Sequence, residues 1–418
     1  MKILILGSGG REHAMGKKLL QDSPAIKLYF YPGNGGTNHI GINIKFDDID
    51  NNNIIDNICS FVKINNIDLT VVGSETFLFY GIVNRFKHFG LPILGPNLYS
   101  FQLEGDRLFA KSFMNKYGIR TPKYHSFSSY IDAFNFIKTT TYPLVIKTNG
   151  IAEGKGVIII NNKIEAEQAL HSIMIDKKFG KSGEKIIIEE KLIGKESSII
   201  SILNSKQIIP FLSAMDYKKI GEAETGHNTG GMGSISPNPY MTKDIWRDFQ
   251  KHILAPTVEG LFAENLMFSG FIYFGLMITP SNKIYLLEYN TRMGDPETQS
   301  LLPIMNSNFL QILRDAMLKT NIRVFWKNLC SCCVVLSSKG YPNEYKTGHI
   351  IQGINLLKEP FFIAGAKQEY NKWITVGGRV LNLVGLGKSI YEARINTYNK
   401  VKQIVFKNCY FRKDIGLL

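Results

Sequence analysis

Three side chains near residue 290 alternate along a predicted strand. Glu288, Asn290 and Arg292 follow the apolar run 284–287, and side chains two positions apart on a strand share one face. Carboxylate and amide oxygens suit Mg²⁺, which takes one or two protein groups and completes its shell with phosphate and water. The guanidinium beside them could hold a carboxylate through two hydrogen bonds. Because the apolar run places these residues at the mouth of a buried sheet, a metal-assisted site is favoured over an exposed polar strand end.

A helix start follows directly. Residues 294–299 read Gly-Asp-Pro-Glu-Thr-Gln, so Asp295 is interpreted as the N-cap and Pro296 as the first helical residue. Glu297 either belongs to this helix start or faces a ligand, and the sequence leaves both interpretations open.

A glycine cluster near the N-terminus suits a phosphate. Residues 7–10 read Gly-Ser-Gly-Gly between a short apolar run and a predicted helix, where free N–H groups and the helix dipole favour an anion. The cluster is not a dinucleotide fingerprint, because Glu12 replaces the third glycine and no acidic residue closes the second strand, which ends at 31–32. A phosphate outside NAD is predicted, and a structural turn is the alternative.

A second glycine-rich segment follows Lys147. In the loop 149–156, three glycines surround Lys155, so the backbone can approach phosphate oxygens while the lysines supply charge. Valine follows Gly156 and a strand comes next, which excludes the GxxxxGK[ST] loop. The alternative is a hairpin that binds no ligand.

Two further segments are polar at predicted strand ends or in loops. The run Glu189-Glu190-Lys191-Leu192 ends an apolar strand, and its backbone could pair with an adenine edge while Glu196 takes ribose hydroxyls. A charged surface turn is the alternative. The loop 228–233, Asn-Thr-Gly-Gly-Met-Gly, is too rich in glycine to form a core and is typical of loops that line substrates.

These residues need a scaffold of sheets to position them. Strands predicted at 2–6, 26–31, 69–72 and 91–94 alternate with helices, which indicates a doubly wound parallel sheet over residues 1–102. Two strand-rich blocks follow within 103–325. The last segment, 326–418, combines short strands with a helix at 390–404 and is predicted to be a small α+β domain.

Composition narrows the class of protein. The chain has 418 residues, 44% of them hydrophobic, which fits two to four globular domains and argues against disorder. Its net charge is +14, but the basic residues are scattered, so compositional drift is favoured over a nucleic-acid partner. No apolar run approaches the ~20 residues that span a bilayer, and no secretory signal opens the chain. We therefore expect a cytoplasmic protein without a membrane partner.

The five cysteines indicate a reducing compartment rather than a disulfide framework. Three cluster as Cys330, Cys332 and Cys333. A zinc site would need further ligands, for which His349 and Cys409 stand in no recognisable motif. Buried strand cysteines are the favoured interpretation.

Taken together and in order, these segments resemble the phosphoribosylamine-glycine ligases, also called glycinamide ribonucleotide synthetases, a family of the ATP-grasp superfamily. The similarity spans nearly the whole chain, and its length fits the single-function form. The stretches that carry it are GSGGREHA from Gly7, PGNGGT from Pro32, QLEGDRLFAK from Gln102, NTGGMG from Asn228 and EYNTRMGDPETQ from Glu288. The ExNxR element occurs across ATP-grasp enzymes, whereas GSGGREH, NTGGMG and GDPETQ select this family.

The resemblance implies three domains and a set of site residues. Residues 1–102 would bind phosphoribosylamine, 103–325 would form an ATP-grasp core of two subdomains with a mobile lid at about 122–192, and 326–418 would form the C-terminal domain. The implied ATP contacts are Lys111, Lys147, Gly154, Lys155, Gly156, Glu189, Glu190, Leu192 and Glu196. The implied substrate contacts are Ser8, Gly9, Gly10, Gly33, Asn34, Glu75, Asp216, Lys218, Asn228, Gly230, Arg292 and Glu297. Glu288 and Asn290 would hold Mg²⁺ or Mn²⁺, and Asp216, Arg292 and Lys147 would be catalytic.

The implied reaction joins glycine to 5-phosphoribosylamine at the expense of ATP, the second step of de novo purine biosynthesis. Asp216 and Arg292 would grip the ammonium and carboxylate of glycine, and a glycyl phosphate intermediate would form. The loop 149–156 would close over that intermediate and keep water away. We expect a monomer.

The chain departs from the family pattern at several positions. These are Ser74, Asn149, Met215, Tyr217 and His227, together with Ile363, Ala366 and Val376, where the family usually has polar residues. Another ATP-grasp ligase, such as a carboxylase of purine or biotin metabolism, is the nearest alternative function. A nicotinamide dehydrogenase is disfavoured, because its acidic residue is missing.

Overall fold

The computed structural model describes residues 1–46, 54–150 and 156–418. Its first sheet contains the strands β1 Lys2–Gly7, β2 Lys27–Pro32, β3 Ile42–Asn43, β4 Leu69–Val72 and β5 Ile93–Leu94. The helices of this region are α1 Gly10–Asp22, α2 Thr37–Ile40, α3 Ile54–Ile64, α4 Glu75–Phe79 and α5 Ile82–His88. All four strand pairs are parallel, in the order β3-β2-β1-β4-β5. The predicted doubly wound parallel sheet is therefore confirmed.

Strand β1 is apolar from Ile3 to Leu6 because both of its faces are covered. Ile3 and Ile5 belong to one buried cluster, whereas Leu4 and Leu6 belong to a second cluster on the opposite face. The chain runs from β1 to one edge of the sheet and then returns to β4 on the other side. Ligands in open α/β sheets bind at such a switch point, beside the carboxyl ends of the strands.

A second, smaller sheet follows. This region contains α6 Leu98–Gly105, α7 Arg107–Lys116, β6 Tyr124–Phe127, α8 Tyr130–Thr139, β7 Leu144–Thr148, β8 Val157–Ile160, α9 Lys163–Leu170 and β9 Ile186–Glu190. Its strands are antiparallel in the order β6-β9-β7-β8. Ile137, Ile146 and Ile186 form its own core with the helices α8 and α9. These elements span the predicted lid, whose mobility stays a prediction.

The next region contains β10 Lys195–Leu203, β11 Ile208–Asp216, β12 Lys219–Gly221, β13 Thr225–Asn228, β14 Gly233–Ser236, α10 Lys243–Phe249, α11 Ala255–Ala263, β15 Gly270–Ile278, β16 Ile284–Asn290, α12 Glu297–Leu301 and α13 Phe309–Leu318. Strands β12 and β13 pair with each other in a two-stranded sheet, and the other strands of this region belong to the largest sheet. The C-terminal elements are β17 Cys330–Ser338, β18 Ile350–Ile351, β19 Phe361–Ile363, β20 Ala366–Glu369, β21 Lys372–Thr375, β22 Arg379–Gly387, α14 Ile390–Val401 and β23 Cys409–Tyr410.

The C-terminal strands extend the largest sheet, hereafter the central sheet. Its order is β16-β15-β10-β11-β14-β17-β22-β19, and β23 pairs with β17. The junction is the antiparallel pair β14 and β17, in which Gly233 lies opposite Val334. The predicted small C-terminal α+β segment thus shares hydrogen bonds with the ATP-grasp strands, while β18, β21 and β20 form a separate three-stranded sheet.

The cysteine cluster lies in β17. Cys332 and Cys333 are buried, and burial raises the pKa of the Cys332 thiol to about 12. All five cysteines of the chain are free thiols, and the interpretation as buried strand cysteines is confirmed for Cys332 and Cys333, whereas Cys330 is half-buried. Among the described residues, no helix is both long and apolar enough to cross a membrane.

Candidate active site

The end of β16 presents oxygen ligands to a cavity. Glu288 pairs with Gly275 of β15, and a Cβ added at Gly275 would approach the Glu288 Cγ to 3.0 Å, so the glycine makes room for this side chain. Burial raises the pKa of Glu288, but Lys218, followed by Arg107, outweighs it, and the net pKa lies below the ordinary value. The ionised carboxylate and the amide of Asn290 line the same cavity. This donor set fits a hard divalent cation that takes its remaining ligands from phosphate and water.

Arg292 is held by two carboxylates. Its Nε lies 2.9 Å from Oε2 of Glu75, and its Nη2 lies 3.2 Å from Oε1 of Glu104. The cation lowers the pKa of Glu75 to about 2. Glu104 also accepts a hydrogen bond from the backbone N–H of Thr291 at 2.7 Å, which fixes the strand end. A substrate carboxylate at Arg292 therefore has to share the guanidinium with these two acids.

Asp216 is a buried acid at the end of β11. Its Oδ1 has no hydrogen-bond partner among the described residues. Burial raises its pKa well above the ordinary value, and the neighbouring carboxyl group of Glu297 raises it further. Both acids line the cavity that Arg292 also lines. A buried acid without a hydrogen-bond partner, beside a second acid, attracts an ammonium group. The ammonium supplies the missing hydrogen-bond donors and a compensating positive charge.

Lys218 connects the predicted ribose and metal residues. Its Nζ lies 3.4 Å from Oε2 of Glu196 and 3.7 Å from Oε1 of Glu288. Burial lowers the pKa of Lys218, but Glu196 and further acidic groups, which include Glu288, raise it well above the ordinary value. The lysine therefore stays charged, and it connects the start of β10, which carries Glu196, with the end of β16, which carries Glu288.

Two predicted ATP lysines share one acid. The carboxylate of Glu189 lies 2.8 Å from the Nζ of Lys111 and 2.8 Å from the Nζ of Lys147, and all three groups are buried. Burial lowers the pKa of Lys111 to about 8, although Glu189 opposes this. The carboxylate of Glu189 thus neutralises the two lysines, and the contact of this strand end with adenine stays a prediction. The neighbouring Glu190 accepts a hydrogen bond from the backbone N–H of Lys123 at 2.9 Å.

A cavity of about 380 Å³, hereafter the central cavity, gathers residues from distant parts of the chain. The predicted site residues that line it are Glu75, Asp216, Lys218, Gly230, Glu288, Asn290, Arg292 and Glu297. A pocket of about 40 Å³ shares Glu288 and Asn290 with it and adds Lys111, Lys147 and Glu189. Gly154 and Lys155 lie outside the described residues.

The glycine turn after β1 borders a larger cavity of about 830 Å³, hereafter the N-terminal cavity. Ser8, Gly9, Gly33 and Asn34 line it, as sequence reasoning grouped them. The backbone N–H of Gly9 is taken by the carboxylate of Glu12, at 2.7 Å. The acid that replaces the third glycine therefore caps α1 itself and removes one donor from any phosphate.

Six predicted residues in the described part of the chain line none of these cavities. Gly10 packs against the side chains of Gln299 and Asn382, where a Cβ would lie 2.2 Å from the Asn382 amide. The others are Gly156, Glu190, Leu192, Glu196 and Asn228.

The interpretation of Asp295 as an N-cap is wrong. Helix α12 begins at Glu297, its N-cap is Pro296, and no side chain caps it. Asp295 Oδ1 instead accepts a hydrogen bond from Gln299 Nε2 at 2.7 Å and lies 3.2 Å from Arg379 Nη1. Burial would raise its pKa, but Arg379 and Arg11 lower it, so the carboxylate is ionised. A tertiary cation, which the local pattern does not reveal, redirects this side chain.

Family models match almost the whole chain. The model described as Phosphoribosylglycinamide synthetase, N domain, matches residues 1–104, the ATP-grasp (A) domain matches 105–298, and the C domain matches 331–418. The chain belongs to this family. The resemblance of the sequence motifs is thereby confirmed, and the core is an ATP-grasp fold.

Relatives and solved structures agree with this assignment. A phosphoribosylamine-glycine ligase of Fusobacterium nucleatum is 46% identical over 100% of this chain and 99% of its own length. The crystal structure of a phosphoribosylamine-glycine ligase from Thermotoga maritima has a TM-score of 0.86 at 30% identity, covering 99% of this chain and 100% of that one. A biotin carboxylase domain of a Hydrogenobacter thermophilus 2-oxoglutarate carboxylase, in complex with MgADP and bicarbonate, has a TM-score of 0.74 at 12% identity and shares the fold; it covers 98% of this chain and 91% of its own.

Several residues of the site escaped sequence reasoning. Arg11, Glu104 and Arg107 line the central cavity and stand inside the motifs GSGGREHA and QLEGDRLFAK, so the motifs held a signal for them. Tyr341 and Arg379 also line it, but they stand in the C-terminal segment outside any motif.

Proposed function

We propose that this chain catalyses the ATP-dependent ligation of glycine to 5-phospho-D-ribosylamine, giving glycinamide ribonucleotide, ADP and phosphate through glycyl phosphate. The family and its named relatives support the reaction. One observation of the site carries it. The central cavity combines an unpartnered buried acid, Asp216, with the cation Arg292 and the oxygen ligands Glu288 and Asn290. This set matches an amino acid zwitterion next to a metal-bound phosphate.

Glycine would lie between Asp216 and Arg292. Asp216 would accept the ammonium group, and Arg292 would hold the carboxylate with the N–H groups that Glu75 and Glu104 leave over. One carboxylate oxygen would then attack the γ-phosphorus of ATP. A P–O bond forms to glycine, and the P–O bond to ADP breaks with its electron pair leaving on ADP. Holding both reactants in line provides much of the acceleration of such a transfer.

ATP would occupy the side of the site that the lysines border. Lys111 and Lys147 would exchange part of their pairing with Glu189 for phosphate oxygens, helped by Lys155 and the glycines 154 and 156. The backbone of residues Glu189 to Leu192 would face adenine, and Glu196 would face the ribose. Glu288 and Asn290 would hold Mg²⁺ or Mn²⁺. When bound, the metal neutralises the charge of the phosphate groups.

Phosphoribosylamine would occupy the N-terminal cavity, against Ser8, Gly9, Gly33 and Asn34. Its amine nitrogen would attack the acyl carbon of glycyl phosphate. The C–N bond forms, the C–O bond to phosphate breaks with its electron pair leaving on phosphate, and the amine proton passes to that phosphate. Asn34 donates to the carbonyls of Ser8 and Gly9 at 2.8 and 3.1 Å, which fixes the turn for this substrate.

The remaining expectations extend this proposal. The domains would be 1–102, 103–325 and 326–418, and the loop 149–156 with the lid at about 122–192 would close over the intermediate. Asn228 and Lys218 would support the substrate loop, and Gly10 the turn that carries Ser8. The chain would act as a monomer in the cytoplasm.

One assay tests the reaction. ADP release is followed with ATP, Mg²⁺, glycine and freshly generated phosphoribosylamine, and each substrate is omitted in turn. We expect ADP release to require glycine and not bicarbonate. If omission of glycine changes nothing, or if bicarbonate replaces it, the proposed function is wrong and a carboxylase-type ATP-grasp reaction takes its place.

A further inference from the structure

Three side chains stand on the boundary between the two cavities. Asp295, Tyr341 and Arg379 line both the N-terminal cavity and the central cavity. Under the proposed function, the acyl phosphate forms in the central cavity, whereas the amine is held in the N-terminal one. The two reactants therefore meet where these three residues lie, and Tyr341 and Arg379 come from the C-terminal segment.

Arg379 reaches this boundary from the start of β22. Its Nη1 donates to the carbonyl oxygen of Gly230 at 2.7 Å and to that of Asp295 at 2.9 Å, and lies 3.2 Å from the Asp295 carboxylate. Among the described residues, these contacts use Nη1 alone. The side chain is 23% exposed, so donors on Nη2 and Nε remain for a ligand.

Tyr341 holds the same glycine from its other backbone group. Its hydroxyl oxygen accepts a hydrogen bond from the N–H of Gly230 at 2.9 Å. Gly378 lets the ring come close, because a Cβ there would lie 2.4 Å from the Tyr341 Cδ2. Both polar groups of Gly230, in the loop that follows β13, are thus fixed by C-terminal side chains.

The charge of Arg379 is secure in this position. Burial lowers its pKa, but Asp295 and neighbouring groups, including Tyr341, raise it above the ordinary value. Asp295 neutralises one side of the guanidinium only through Nη1. A negative charge that appears on the cavity side can therefore be stabilised by the opposite edge of the same planar group.

We propose that Arg379 is a catalytic residue of the second half of the reaction, the transfer of the glycyl group from phosphate to the amine, and that Tyr341 is a positioning residue for it. Arg379 donates from Nη2 and Nε to the acyl oxygen and the departing phosphate, where negative charge grows as the C–N bond forms and the C–O bond breaks. Tyr341 keeps the Gly230 loop in place so that the acyl carbon faces the amine. The proposal rests on the proposed function.

The ratio of ADP to amide product tests this role. With all three substrates saturating, the unsubstituted chain is expected to form one ADP for each amide. In Arg379→Gln, amide formation should fall about 100-fold, as for the loss of an oxyanion donor. ADP formation should fall much less, because stranded acyl phosphate hydrolyses, so the ratio rises well above one. Arg379→Lys should restore part of the coupling, and Tyr341→Phe should show a smaller rise.

Two comparisons separate this role from a structural one. Arg394→Gln is the matched control, because Arg394 also lies in the C-terminal segment and donates to the Lys413 carbonyl at 2.6 Å, but it lines neither cavity. Its ratio should stay at one. A ratio of one in Arg379→Gln, whether its rate falls or not, overturns the proposal. If Arg379→Gln does not fold, Arg379→Lys and Tyr341→Phe decide by the same ratio. Failure of the unsubstituted chain to make amide overturns the proposed function instead.

Discussion

The guanidinium Nε of Arg292 lies 2.9 Å from the carboxylate of Glu75, and this ion pair joins the end of the central sheet to the first residue of α4 in the N-terminal region. The pair places the two sheets so that their strand ends face one central cavity. Glu104, which lies in α6, pairs with the same arginine and also accepts a hydrogen bond from the backbone of Thr291, the residue after β16. The site is therefore also a structural junction, and its charges contribute to stability as well as to binding.

Glu75→Gln should lower stability in a pH-dependent way. Arg292 depresses the folded-state pKa of Glu75 to about 2, so the stabilisation is complete above the unfolded pKa, near 4.5, and is lost as pH falls from 4.5 towards 2. After allowance for partial exposure, we expect a loss of about 1–2 kcal/mol at pH 7. Urea unfolding at pH 7 and pH 3.5 measures it, and an equal loss at both pH values would contradict the assignment.

The control for this measurement is Asp56→Asn. Asp56 pairs with Arg85 at 2.6 Å, but both side chains are largely exposed. Exposed pairs contribute little, so the unfolding midpoint should hardly change.

Glu189→Gln should destabilise the free protein more than the ATP complex. Without the carboxylate, Lys111 and Lys147 lose the acid that lies 2.8 Å from each of them, and breaking such a buried pair costs about 3–5 kcal/mol. Bound triphosphate replaces the lost negative charge. Melting temperatures with and without MgATP measure the difference. Glu167→Gln, which removes an acid from an exposed pair with Lys163, should behave like the unsubstituted chain. An equal loss in both states would refute exchange between carboxylate and phosphate.

The affinity for glycine should depend on pH through Asp216. Its pKa is raised well above the ordinary value by burial and then by Glu297, so the neutral acid persists to a higher pH than in an ordinary aspartate. Ammonium binding requires the ionised form, and KM for glycine should therefore fall as pH rises above the ordinary aspartate range. Asp216→Asn should raise KM about 100-fold and abolish the slope, whereas Asp244→Asn on the surface of α10 should leave both unchanged. An unaltered slope in Asp216→Asn would rule out this role.

Glu288→Ala should abolish turnover through loss of the metal. The ionised carboxylate of Glu288 is one of the two protein groups at the predicted metal site, so its removal leaves only Asn290 to hold the metal. We expect amide formation to fall at least 1000-fold, the upper range for loss of one charge-stabilising group, and Mn²⁺ binding in the presence of ATP, followed by electron paramagnetic resonance, to be lost. Glu369→Ala in β20, where the acid pairs with Lys367 at the surface, is the control. Near-normal activity of Glu288→Ala would show that the metal lies elsewhere.

Local sequence patterns predicted the parallel N-terminal sheet well. The side chains of β1 are apolar on both faces of the strand from Ile3 to Leu6, because both faces are covered. A continuous apolar run of this kind is visible without any tertiary information. The alternation of Glu288, Asn290 and Arg292 likewise follows from strand geometry alone, so the ligand set at the end of β16 could be proposed from spacing.

The N-cap interpretation of Asp295 was wrong because a contact with a residue distant in sequence decides its position. Asp-Pro-Glu is a common helix start, but the choice between a backbone N–H and a guanidinium depends on Arg379, which comes from β22. The ion pairs of Glu189 with Lys111 and Lys147 could not be predicted either, because its position at a strand end does not indicate which lysines lie beside it in the folded chain.

The sequence by itself determined the family and the element types, and it predicted residues to bind phosphate, metal and glycine, because these depend on residue type and on spacing within one element. Only the tertiary structure decided how charges are shared: Arg292 between two acids, Glu189 between two lysines, and Arg379 on the boundary of two cavities. The C-terminal strands also continue the central sheet, which brings Arg379 and Tyr341 to the site. Long-range ion pairs leave no local periodicity, since their free energy depends on distance in space and on burial.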